Sequence, residues 1–156
     1  MLQITIPGYR RLDLNHLVLD YNGTLACDGL LLPGVESRLK ALTGQLELHV
    51  LTADTFGSVA QTLVNVPCRL TILPQENQTA AKQAAVIALD SEQCVCVGNG
   101  RNDRLMLQTA GLGIAVMQAE GAAVETVLAA DVVVPDIIAG LDLLLHPLRL
   151  VATLRV

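Results

Sequence analysis

Asp20 closes the aliphatic run His16-Leu17-Val18-Leu19-Asp20 and is followed by Tyr21-Asn22-Gly23-Thr24. A carboxylate so placed can attack phosphorus and form an acyl phosphate, dividing one difficult displacement into two easier ones. Attacker and phosphoryl group are both anionic, so such chemistry needs a cation between them. Three further polar clusters fall at comparable places. Thr52 ends the run Val50-Leu51-Thr52-Ala53-Asp54, Lys82 lies in a helical stretch, and Gly98-Asn99-Gly100-Arg101-Asn102-Asp103 follows the run Cys94 to Val97. Each has a plain structural alternative: a turn residue for Asp20, a helix cap for Thr52, a solvated helix residue for Lys82, an N-cap pair for Asn102 and Asp103.

The elements that would position these residues are short aliphatic runs alternating with helical periodicity. Strands are expected at 2–6, 16–20, 46–51, 68–72, 94–97, 113–116 and 132–134. Helices are expected at 34–42, 57–64, 75–89, 102–110, 122–129 and 135–145, the last begun by Pro135. Strand–helix alternation implies βαβ units with right-handed crossovers. The expected fold is therefore α/β: a doubly wound, mainly parallel sheet, as one domain over 1–156, with ligands bound outside the carboxyl ends of the strands.

Composition agrees. The chain is 52% hydrophobic and only 2% aromatic, so its core is built from Leu, Val, Ile and Ala, as suits strands covered on both faces. With a net charge of −5, no basic stretch and few stacking aromatics, nucleic acid is not an expected partner. Cys27, Cys68, Cys94 and Cys96 form no C-x-x-C pair and read as reduced thiols, and no signal peptide is read at the N-terminus, so a cytoplasmic location is expected. The apolar tail carries Asp142, His146, Pro147 and Arg149; it reads as a packed helix with an extension and no membrane span. Leu141 to Val156 offers a surface for a neighbouring copy. His16, His49 and His146 are scattered and read as structural.

Together the four clusters resemble the haloacid dehalogenase superfamily over nearly the whole chain. That family carries an Asp-x-Asp-Gly-Thr loop, a Ser or Thr after the second strand, a Lys and an acidic Gly-Asp-Gly-x-x-Asp-like loop. Here these match Asp20 to Thr24, Thr52, Lys82 and Gly98 to Asp103. The segments around Asn102-Asp103, Ala110 to Val116 and Ala130 to Val133 look closest to the phosphorylation domain of P-type ATPases and to soluble P-type-ATPase-like proteins. The resemblance implies a Rossmann-like three-layer sandwich and Mg²⁺-dependent phosphohydrolase or phosphotransferase activity on a small phosphomonoester. It implies an aspartyl-phosphate at Asp20, with Asp20, Asn22, Thr52 and Lys82 as the catalytic set. Asp20, the carbonyl of Asn22, Asn99 and Asp103 would hold Mg²⁺, an ion that favours oxygen ligands. Tyr21, Gly23, Thr52, Ala53, Lys82 and Asn102 would surround the substrate.

Two residues depart from the pattern. Asn22 stands where family phosphatases carry the Asp that moves protons, and an amide cannot replace it in that role; general acid–base help is worth roughly 10²–10⁴-fold. Asn99 stands where a metal-binding Asp is usual. The spacings from Asp20 to Thr52 and from Thr52 to Lys82 leave no room for a cap domain, so the site is expected to be open, with a large substrate, a protein partner or an oligomer neighbour needed to exclude water. The alternative is a phosphate- or Mg²⁺-binding regulatory module, or an interaction module, that no longer turns over.

Overall fold

Leu2, Ile4 and Ile6 alternate with polar residues, and that period of two makes β1 (Leu2–Ile6) a strand with one buried face. It pairs antiparallel with β2 (Arg10–Leu14) across a turn in which Gly8 adopts φ +76°. In this computed structural model, which describes residues 1–54 and 57–156, the chain then runs through β3 (His16–Asp20) and a short hairpin of β4 (Ala26–Cys27) and β5 (Leu30–Leu31). Alternation of helix and strand follows: α1 (Val35–Leu42), β6 (Glu47–Thr52), α2 (Val59–Thr62), β7 (Cys68–Ile72) and α3 (Gln78–Ala88). The remainder is β8 (Cys94–Gly98), α4 (Arg104–Thr109), β9 (Leu112–Val116), α5 (Val124–Ala129), β10 (Val132–Val134), α6 (Ile137–Leu145) and α7 (Pro147–Leu154).

Six of these strands form one parallel sheet in the order β10-β9-β8-β3-β6-β7. The chain enters at β3, winds outward through β6 and β7, then returns to β8 on the other side of β3 and winds outward again. The reversal puts a crevice at the carboxyl ends of β3 and β8, where open α/β sheets bind ligands. Alternate residues of each strand serve opposite faces. Leu17, Leu19, Val95 and Val97 join α1, α6 and the β1–β2 hairpin in one core, while Val18, Leu51, Cys96 and Met106 join α3 and α4 in the other. Burial on both sides explains why these strands read as unbroken aliphatic runs.

Among the described residues, the β4–β5 hairpin, α1 and β6 are the elements between Asp20 and Thr52, and α2, β7 and the start of α3 those between Thr52 and Lys82; none of these is a cap domain. The ends of the expected elements shift by up to three residues, and the architecture differs in three details. β2, β4 and β5 are additional strands. The helix expected at 135–145 starts two residues later, at Ile137, with Asp136 as its cap: Asp136 Oδ1 accepts a hydrogen bond from the Ala139 amide at 2.7 Å. The tail after it is a separate helix, α7, bent 100° from α6 at a break where Pro147 occupies the first turn. Much of the apolar character of this tail is used inside the fold: Leu141, Leu144 and Leu150 are buried, leaving Leu148 and Val156 among the exposed residues. Among the described residues no single helix is long and apolar enough to cross a membrane.

Candidate active site

β3, β6 and β8 are neighbours, so their carboxyl ends deliver three polar clusters side by side. Asp20 is the last residue of β3, Thr52 the last of β6, and Asn99 the first residue beyond β8. α3 lies against α4 and sends Lys82 under the sheet edge. Lys82 Nζ donates to Asp20 Oδ1 and to Asp103 Oδ1, both at 2.6 Å. Asp103 ends a single 3₁₀ turn, Arg101–Asp103, and its Oδ2 accepts the amides of Asn99 (3.0 Å) and Gly100 (2.9 Å). Asp103 therefore does both things its sequence context allowed: it caps the loop and it pairs with Lys82.

The Thr24 hydroxyl lies 3.2 Å from both Asp20 Oδ2 and Asn99 Oδ1; its one proton serves them one at a time. Asn99 Nδ2 donates to Gly121 O at 2.9 Å. A carbonyl can only accept, so the orientation of this amide is set and its oxygen faces Thr24 and Asp20. Two glycines make room for these contacts. Gly23 has φ +80°, and a Cβ there would stand 2.5 Å from Asn99 Nδ2. A Cβ on Gly98 would stand 2.5 Å from Asp103 Cγ. Thr52 Oγ1 accepts the Asp54 amide at 3.1 Å, which leaves its hydroxyl proton free to donate into the cleft.

Asp20, Asp103 and Lys82 are all buried. Burial, then the neighbouring Asp103 charge, push the Asp20 carboxyl up to about 7, against the smaller opposing pull of Lys82. Burial also acts against the Lys82 ammonium, but the charges of Asp20 and Asp103 together outweigh it and hold Lys82 above its ordinary value. The two shifts are compatible because two carboxylates share one ammonium. With both carboxylates ionised, the cluster carries one negative charge in excess. In addition, Asn22 Oδ1 is buried and accepts no hydrogen bond. An excess buried charge, an unpaired oxygen and a donor set made of oxygens suit a hard divalent cation such as Mg²⁺.

A cleft of about 280 Å³ opens above this cluster, lined by Asp20, Asn22, Thr52, Ala53, Asn99 and Asn102 among others. Six of the ten residues singled out in the sequence thus meet at one opening, with Lys82 and Asp103 behind them. Tyr21 and Gly23 do not line it. The Tyr21 side chain is 1% exposed and its hydroxyl donates to Gly29 O at 3.2 Å, so it holds the β4–β5 hairpin and does not face a substrate. The Gly23 amide is bonded to Ala26 O at 2.8 Å, and Gly23 borders a separate, mainly apolar cavity of about 320 Å³ with Ala26, Cys27, Leu32 and Ile137.

The structure adds residues that the sequence reading did not select. Gln118 Nε2 donates to Gly23 O (2.9 Å) and Thr24 O (2.5 Å), tying the loop after β9 to the loop after β3. Glu120 and Gln78 line the cleft, and Gln78 Oε1 accepts from Asn102 Nδ2 at 2.7 Å. Gln118 and Glu120 carried one signal, their position just past a strand end, but no motif marks them.

Comparison with known proteins adds an independent line. The family model of haloacid dehalogenase-like hydrolases matches residues 77–136, the stretch from the start of α3 to the cap of α6. An uncharacterized protein of Methanocaldococcus jannaschii is 49% identical over 65 residues, 42% of this chain and 70% of that protein. The 3-deoxy-D-manno-octulosonate 8-phosphate phosphatase of Moraxella catarrhalis, solved with magnesium, phosphate and KDO, shares the fold with a TM-score of 0.72 at 17% identity, over 86% of this chain and 87% of that one. The cobalt-bound deoxy-D-mannose-octulosonate 8-phosphate phosphatase of Haemophilus influenzae also gives 0.72 at 16% identity, over 86% and 88% of the two chains. Residues 77–136 thus match the haloacid dehalogenase-like hydrolase family, and the chain as a whole has the fold of these phosphatases.

Proposed function

We propose that residues 1–156 form a single capless hydrolase domain that removes the phosphoryl group of a small phosphomonoester through an aspartyl-phosphate at Asp20. The observation that carries this reading is the buried Asp20–Lys82–Asp103 cluster at the floor of an open cleft. Asp20, the Asn22 backbone carbonyl, Asn99 and Asp103 would hold Mg²⁺, which supplies electrostatic neutralisation between carboxylate and phosphoryl group when bound. In the first step an Asp20 oxygen forms a bond to phosphorus while the bond to the ester oxygen breaks. Thr52 places a hydrogen-bond donor where phosphoryl charge develops, and Lys82, behind the cleft floor, holds the Asp20 carboxylate and offsets negative charge there. Ala53 and Asn102 line the space for the phosphoryl group and its ester. In the second step water attacks the aspartyl-phosphate, phosphate departs and the Asp20 carboxylate is restored.

Proton transfer is the weak part. Asn22 cannot protonate the leaving oxygen or take a proton from water. Asp54 is engaged as the acceptor of the Val59 amide at 3.3 Å. Of the residues lining the cleft, only Asp20 and Glu120 carry carboxylates, so Glu120 is the group placed to assist. An aryl phosphate leaves as a stable phenolate and needs little help in the first step, whereas hydrolysis of the aspartyl-phosphate does. The phosphoenzyme should then accumulate, a property that fits the sequence resemblance to P-type ATPase phosphorylation domains. The four cysteines are unpaired, which suits a reducing cytoplasm.

With Mg²⁺ and p-nitrophenyl phosphate, the expected result is a burst of one phenolate per protein followed by slow turnover. Asp20→Asn abolishes both phases, and Asn22→Asp raises the slow phase toward the 10²–10⁴-fold that acid–base help supplies. Phosphate-analogue binding with no burst, and no gain in Asn22→Asp, would instead support a non-catalytic phosphate- or Mg²⁺-binding module, the reading favoured by Asn22 and Asn99 standing where carboxylates are usual.

A further inference from the structure

At the amino edge of the same sheet, the β3–β6 register places His16 opposite Glu47, and His49 follows two residues along β6. A period of two puts all three side chains on one face. His16 and His49, 33 residues apart and read from the sequence as unrelated structural histidines, have their Nδ1 and Nε2 atoms 3.2 Å apart. Glu47 Oε2 is 3.8 Å from His16 Nδ1 and 3.9 Å from His49 Nε2.

Hydrogen bonding accounts for only part of this arrangement. Two imidazole nitrogens at 3.2 Å can share a proton, but a carboxylate oxygen at 3.8 and 3.9 Å is beyond a hydrogen bond to either. The point equidistant from the three atoms, taken from those sides, lies about 2.1 Å from each. That matches zinc–nitrogen bonds of about 2.0–2.1 Å and zinc–carboxylate bonds of about 2.0–2.2 Å. The donors are also of the right kind, since imidazole favours Zn²⁺, Co²⁺, Ni²⁺ and Cu²⁺ over Mg²⁺. His16 and Glu47 line a surface cleft of about 350 Å³, which gives an ion a way in and leaves room for a water as a further ligand. Arg69 Nη2 sits 3.4 Å from the same Glu47 oxygen, but its side chain is 72% exposed and swings aside at little cost.

We propose that His16 Nδ1, Glu47 Oε2 and His49 Nε2 form a second metal site, for Zn²⁺ or a similar transition-metal ion. It lies about 13 Å along β3 from Asp20, four residues at the strand rise. Its bound ion fastens the starting ends of β3 and β6, the two strands whose far ends carry Asp20 and Thr52.

The test titrates the full chain with Co²⁺, and then with Zn²⁺, in excess Mg²⁺ so that the oxygen-rich cluster is occupied. One equivalent of Co²⁺ should bind with the visible absorption of a four-coordinate nitrogen–oxygen site, and Zn²⁺ should displace it and raise the melting temperature. Asp20→Asn should leave both effects unchanged. His16→Gln and Glu47→Gln, at the two more exposed ligands, should each weaken binding at least 10- to 100-fold and remove the thermal shift. Two variants guard against a folding defect in one. No binding under excess Mg²⁺, binding unchanged in both ligand variants, or binding lost in Asp20→Asn overturns the proposal.

Discussion

Asp20→Asn, tested in EDTA, removes one charge from the buried cluster while keeping the shape of the side chain. The carboxyl is held at about 7 against an ordinary 3.8, a rise of about three units. At about 1.4 kcal/mol per unit, ionised Asp20 destabilises the metal-free protein by at most about 4 kcal/mol. Asp20 is strongly coupled to its charged neighbours, so only part of that effect belongs to it alone, and a gain of about 1–3 kcal/mol is expected from the substitution. For a chain of this size that is roughly 2–12 °C in melting temperature. The direction with pH follows from linkage. A group whose folded-state value is raised contributes stability fully below its unfolded value, and that stability is lost as pH rises through the folded value. The advantage of Asp20→Asn should therefore be small near pH 4, grow through pH 5 and 6, and level off above pH 7. Thermal denaturation followed by circular dichroism in EDTA, at pH 5 and pH 8, measures it. Mg²⁺ should then stabilise the wild type and not the variant. A variant no more stable than wild type at pH 8, or a gap that does not widen with pH, would refute the charge argument.

Thr52→Val keeps the branched shape and removes the free hydroxyl, so kcat on an aryl phosphate should fall about 10²–10³-fold, the effect of losing one donor to developing charge; an unchanged rate would remove Thr52 from the phosphoryl contacts. Gly98→Ala places a methyl against the Asp103 carboxylate. It should destabilise the fold by about 1–3 kcal/mol in urea denaturation and weaken Mg²⁺ binding with it. Burial pushes the Cys94 thiol up to about 11 and Cys96 well above its ordinary range, while Cys27 and Cys68 are half-buried. Iodoacetamide at pH 8 should therefore reach at most Cys27 and Cys68 in the native protein, and all four only after denaturation, as counted by mass spectrometry.

Local pattern carried a good part of the architecture. Runs such as Leu17-Val18-Leu19 are legible because a strand buried on both faces has no polar position to spare, and each run's polar terminus marks where backbone emerges at the ligand edge. The two-residue strands of the β4–β5 hairpin are too short to show a period, and β2 offers only Leu12 and Leu14 against Arg10, Arg11 and Asp13. Asp136 displaced Pro135 as the start of α6 because a side-chain cap satisfies an amide and a proline does not.

The sequence by itself determined the chemistry available at the strand ends: Asp20, Thr52, Lys82 and Asp103 as reactive types, and Asn22 and Asn99 where a carboxylate is usual. Only the tertiary structure decided which groups share a charge and which residues face the cleft. It put Lys82 between two carboxylates, turned Tyr21 inward, brought Glu120 to the opening and set His16 beside His49. The reason is range. Periodicity along the chain reports which face of an element is buried, whereas sheet order and interstrand register decide what stands next to it, and they join residues tens of positions apart.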